Sequence, residues 1–141
     1  MATLIIDSNI WAYYLDAEAP EHSSVVRPVQ EALRSERVVI NTVILMEVAH
    51  FLIKNLGPVI GRRKLDVFLR FPFTVVGLDY DLTLESIECL MEYSHLGIGG
   101  RDSTIIATMR RLGFKRIMTH DEALKRIDWL NVVDPVLEAV V

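Results

Sequence analysis

Short apolar runs rich in β-branched residues recur along the chain, separated by longer stretches whose apolar positions return every three or four residues. The short runs have strand length: Thr3-Leu4-Ile5-Ile6, Val38-Val39-Ile40, Phe73-Thr74-Val75-Val76, Arg116-Ile117-Met118 and Asn131-Val132-Val133. Helices are predicted from Asp7 through Leu15, from Ser23 to Ser35, from Thr42 to Leu56 and from Pro58 to Arg70, with Gly57-Pro58 as the break between the last two. Two more run from an Asp81 cap to about His95, and from near Arg101, after Gly97-Ile98-Gly99-Gly100, to Gly113. Thr119 and Glu122 have the spacing of a capping box. Continuous apolar strands alternating with helices call for a parallel sheet covered on both faces, so the expected class is α/β with about five strands.

Length makes this one domain, residues 1–141. With 51% hydrophobic and 24% charged residues the chain is too apolar for disorder, and no run approaches the ~18 unbroken apolar residues of a membrane span. Met1 to Ile6 lacks a basic flank and reads as a strand rather than a signal peptide, so a cytoplasmic location is expected. The single Cys89 excludes an internal disulfide, and four histidines without a cysteine partner motif give no structural zinc site. The formal net charge of −4 argues against a protein that coats a polyanion, unless the acids are gathered in one place.

In an open parallel sheet, ligands bind beyond the carboxyl ends of the strands. Asp7, Asp79, Asp121 and Asp134 follow the first, third, fourth and fifth predicted strands. Glu47 interrupts the apolar helix that starts at Thr42, and Asp102 opens the helix after the glycine-rich turn. Taken singly, Asp7, Asp102 and Asp121 are explained as helix caps, and Glu47, His50 and Lys54 as a narrow solvent stripe at i, i+3 and i+7.

Taken together they form a pattern. Asp7-Ser8-Asn9 after the first strand, Glu47 within Leu45-Met46-Glu47-Val48-Ala49, the stretch Gly100-Arg101-Asp102-Ser103-Thr104-Ile105-Ile106-Ala107-Thr108, and Met118-Thr119-His120-Asp121 follow in order over nearly the whole chain. They closely resemble the PIN-domain family, most of all its small stand-alone members, the VapC-type ribonuclease toxins. The resemblance implies a ribonuclease dependent on Mg²⁺ or Mn²⁺. Asp7, Glu47, Asp102 and Asp121 would form its catalytic, metal-binding site, with Asp7 and Asp102 closest to a first ion. It further implies that Ser8, Asn9 and Thr119 orient these carboxylates, and that the products carry 5′-phosphate and 3′-hydroxyl ends. Apart from the resemblance, Arg101 beside Asp102, the run Arg62-Arg63-Lys64 and the group Arg110-Arg111 with Lys115-Arg116 are candidates for contact with an RNA phosphate. Expected partners are an RNA substrate, a small antitoxin and a second copy in a homodimer, with no membrane.

The residue chemistry agrees with this. Magnesium takes oxygen ligands, so carboxylates at the mouth of a sheet suit it. Four carboxylates within about 5 Å would repel by roughly 3 kcal/mol per pair at an effective dielectric near 20, a strain that a cation relieves. Asparagine at Asp7 or Asp102 is therefore expected to abolish cleavage and to raise metal-free stability. His120 reads as a surface histidine. Two rival readings are a receiver-type signalling domain, with Asp79 as phosphoacceptor and Thr119 as switch hydroxyl, and a catalytically silent PIN scaffold that binds protein or RNA. Ser8 in place of a second acid, and Asp134-Pro135 in place of a lysine after the fifth strand, count against the receiver.

Overall fold

β1 (Thr3–Ile6) is the middle strand of a five-stranded sheet, and its Leu4, Ile5 and Ile6 expose no surface because both faces of the sheet are covered. The computed structural model describes residues 1–138. β2 (Arg37–Asn41) and β3 (Phe73–Val76) extend the sheet on one side, β4 (Arg116–Met118) and β5 (Asn131–Val133) on the other, in the order β3-β2-β1-β4-β5. Every pairing is parallel. The helices are α1 (Ser8–Leu15), α2 (His22–Ser35), α3 (Thr42–Phe68), α4 (Tyr80–Tyr93), α5 (Gly100–Leu112) and the short α6 (Pro135–Glu138). The α/β class and five parallel strands are as the sequence predicts.

This order decides where a ligand goes. The chain steps outward from β1 to β2 and β3, then returns through α4 and α5 to place β4 on the opposite side of β1. The topological switch point is thus between β1 and β4, and a crevice opens there beyond their carboxyl ends. Asp7 leaves one of those ends and Thr119 the other, tied together where the Asp7 N–H donates to the Met118 carbonyl at 2.9 Å. On α1, fully buried Trp11 donates its indole N–H to the Ile6 carbonyl at 3.0 Å and meets the rings of Phe68, Phe71 and Phe73 at centroid distances of 5.0 to 6.0 Å. That cluster joins α1 to the end of α3 and to β3, and it locks the loop carrying Asp7 to the core.

Two local expectations need adjustment, and a third holds. α3 consists of two helical pieces divided at Gly57, as the sequence predicts, where the backbone is non-helical at φ 82° and ψ 168°, a conformation open to glycine. The chain turns back there so tightly that a Cβ on Gly61 would lie 2.6 Å from the Leu52 carbonyl oxygen. By length and apolar composition Thr42–Phe68 could cross a membrane, but Gly57 divides it into pieces shorter than the roughly 17 residues required. The cap of α4 is Asp79, not Asp81. Asp79 has extended backbone and accepts from the Leu82 N–H at 2.8 Å, whereas Asp81 is already inside the first turn. Thr119 caps no helix: its hydroxyl accepts from the Asp121 N–H at 3.0 Å in a turn, and Glu122 pairs with Lys125 at 2.8 Å.

Candidate active site

Asp7 has no exposed surface, and its carboxylate is held from several directions. As the cap of α1 it accepts the Ser8 N–H on Oδ1 at 2.7 Å, and its Oδ2 accepts the Thr119 hydroxyl, also at 2.7 Å. Asp102 lies in the first turn of α5, 8% exposed, where the free amides favour a negative charge. Burial and the neighbouring Asp121 nevertheless push its carboxyl up to about 6, against the pull of Arg101. Asp121 follows β4 and is anchored by accepting the Ala123 N–H at 2.9 Å. Glu47 reaches in from α3 with about a third of its side chain exposed.

All four acids converge on one guanidinium. Arg101 Nε donates to both oxygens of Glu47 at 2.8 Å, Nη1 to Asp102 Oδ1 at 2.5 Å, and Nη2 to Asp7 Oδ1 and to the Ser8 hydroxyl, the latter at 3.0 Å. Asp121 Oδ2 is 3.9 Å from Nη1. Burial works against the charge on Arg101, but Asp7, Glu47 and Asp102 together hold its pKa above the ordinary arginine value. The structure brings together the four carboxylates that the sequence singles out. It places Arg101 at their centre, where the sequence expectation has it facing a substrate phosphate. As they stand, no three His, Cys, Asp or Glu side chains among the described residues are arranged to hold one metal ion. The donor set itself fits a hard divalent cation, and a positive group already occupies the point where its oxygens meet.

Ser8 and Thr119 touch Asp7, as expected of residues that orient it. Asn9 acts one step further away, its Oδ1 accepting the His120 N–H at 3.4 Å and joining α1 to the turn after β4. Two polar clusters were not visible as such in the sequence. Buried Asn41 ends β2, caps α3 by accepting the Ile44 N–H at 2.9 Å, and donates to the hydroxyls of Thr104 and Thr108 at 3.3 and 3.2 Å, which fixes the seat of α5. The signal for it is an Asn directly after a strand, with two threonines one helical turn apart. Beside the site, buried Asp134 meets Lys125 Nζ at 2.7 Å and His120 Nδ1 at 2.8 Å. Burial opposes that charge, but the bonds from Lys125 and His120 outweigh it and hold the Asp134 carboxyl below its ordinary 3.8. His120 is therefore a partnered histidine.

A groove of about 440 Å³ runs between α1 and α3 past Glu47, lined among others by Ser8, Asn9, Tyr13, Phe51 and Lys54. Its one acid is Glu47, already paired to Arg101. A PIN domain family model matches residues 4–130. The chain belongs to the PIN domain family. Membership excludes the receiver reading, and Asp79 is accounted for as the cap of α4.

Several solved structures share its fold. VapC20 of Mycobacterium tuberculosis, described as a sarcin-ricin loop cleaving toxin, superposes with TM-score 0.76 at 19% identity over 93% of this chain and 99% of that one. VapBC2 of Rickettsia felis, bound to a promoter DNA fragment, gives 0.73 at 19% identity over 93% and 97%. A toxin-antitoxin complex of Klebsiella pneumoniae gives 0.63 at 21% identity over 94% and 97%. No curated protein matches the chain in sequence.

Proposed function

We propose that this one-domain PIN protein is a metal-dependent ribonuclease and the toxin of a VapBC-type pair. The observation that carries the reading is the convergence of Asp7, Glu47, Asp102 and Asp121 around a single positive group at the switch point of the sheet. Asp7 and Asp102, the more buried pair, would hold a first Mg²⁺ or Mn²⁺, with Glu47 and Asp121 completing the oxygen set. Bound there, the ion supplies a water of lowered pKa and neutralises charge on phosphate oxygens.

The rest falls to the chain's own side chains. Thr119 and Ser8 fix the rotamer of Asp7 so that one side of Oδ1 faces the crevice before any substrate arrives. The α1/α3 groove offers a single strand aromatic edges at Tyr13 and Phe51 and a cation at Lys54, the combination that suits stacked bases and a phosphate chain. Retention of all four carboxylates speaks against a silent scaffold. That relatives of the same fold were solved as VapBC and toxin-antitoxin complexes supports a small antitoxin as partner.

The deciding experiment is cleavage of RNA with Mn²⁺ and analysis of the ends. Products with 5′-phosphate and 3′-hydroxyl, lost on chelation, are expected. Ends carrying 2′,3′-cyclic phosphate would mean that a ribose hydroxyl attacks, and would overturn the mechanism.

A further inference from the structure

The lone pairs of Asp7 are nearly all committed. Thr119 takes Oδ2, the Ser8 N–H takes one side of Oδ1, and the remaining direction, into the crevice, is held by Arg101. Both oxygens of Glu47 and the inner oxygen of Asp102 are bonded to the same guanidinium. A metal ion needs those inner oxygens, so it and the seated Arg101 exclude one another. Yet one positive charge does not balance this cluster. Four carboxylates from separate parts of the chain face a single guanidinium. The imbalance favours a doubly charged ion over a singly charged one.

Arg101 is also free to leave. It is the second residue of α5, its side chain is 30% exposed at the open mouth of the crevice, and its departure opens no part of the apolar core. Its α-carbon stays next to that of Asp102, so a displaced guanidinium remains within reach of a substrate phosphate at the carboxylates. A planar fork with five N–H donors is suited to that second partner as well as to the first.

We infer that Arg101 has two seats: in the metal-free protein it stands in for the metal among the four carboxylates, and when a divalent ion displaces it the guanidinium becomes a ligand of the RNA phosphate. The inference rests on the metal-dependent nuclease reading. It leads to a combination that neither role alone would produce, in which removing Arg101 improves metal binding and impairs cleavage.

The test is Mn²⁺ titration calorimetry on the full chain with wild type, Arg101→Gln and Arg101→Lys, followed by RNA cleavage at saturating Mn²⁺. If the guanidinium is seated about nine-tenths of the time, Arg101→Gln binds Mn²⁺ about tenfold tighter. Arg101→Lys, which keeps the charge but not the fork, falls between, and it keeps the test open if the Gln variant folds only with metal. Metal-free thermal stability should drop in Arg101→Gln, and KM for RNA should rise. Equal or weaker Mn²⁺ binding in both variants overturns the first seat, and an unchanged KM overturns the second. If none of the three proteins binds Mn²⁺, the metal-dependent reading itself falls, an outcome distinct from wild type and variants binding equally well.

Discussion

Asp7 and Asp102 occupy one cluster but differ in what their charges do to the fold. Asp7 is paired on every side, and asparagine there would leave Arg101 short of a buried partner, at a cost of about 2 kcal/mol. Asp102 has its carboxyl pushed up to about 6 from 3.8, so the folded state prefers it protonated and its charge at neutral pH opposes folding. We expect Asp7→Asn to lower the metal-free melting temperature by several degrees and Asp102→Asn to raise it, while each reduces cleavage by about a hundredfold or more. Scanning fluorimetry beside an RNA assay checks both halves, and shifts of the same sign in the two variants would contradict the account. From sequence alone both substitutions are expected to stabilise, because mutual repulsion is legible in a list of acids. The arginine that reverses the sign for Asp7 is 94 residues away from it.

At the scale of elements, strand boundaries follow directly from runs of β-branched residues, and the break in α3 from Gly57-Pro58. The cap of α4 is not legible this way, since Asp79 and Asp81 are both plausible until the backbone shows which one is still extended. α4 also poses a surface question. It packs against α5 and buries Leu82, Ser86 and Cys89, while Tyr80, Leu84, Ile87 and Met91, at i, i+4, i+7 and i+11, stay exposed along another side. Such a stripe is wider than scattered surface apolar residues, and we propose it as the contact of the homodimer that the family resemblance implies. Ile87→Asp should convert a dimer of twice 16.1 kDa to a monomer in sedimentation without changing the circular dichroism spectrum. A dimer that survives the substitution would place the contact elsewhere.

For the whole molecule, the far side of the crevice depends on Asp134, which ties the end of β5 to His120 and Lys125 and accepts from the Val136 and Leu137 amides. Its carboxyl is held below the ordinary 3.8, so the stability it contributes is complete above that pH and is lost as pH falls through the folded value. Asp134→Asn should therefore cost about 2 kcal/mol at pH 7 in denaturant unfolding, and the gap from wild type should close in strong acid. A gap that stays constant with pH would show that the carboxylate acts through shape rather than charge. The formal net of −4 is likewise a property of position: four of the acids stand in one crevice, so the total says little about what the remaining surface meets.

The sequence by itself determined the α/β class, the five strands and the family, and it marked four acids as candidates, because periodicity and a few polar residues at strand ends are local patterns that survive in one dimension. Only the tertiary structure decided what those acids face. Strand order put β4 beside β1, Asn41 seated α5 across the sheet, and Arg101 was thereby brought into the space among four carboxylates that come from four different parts of the chain. Coulomb energy depends on distance in space, and that distance is absent from sequence separation.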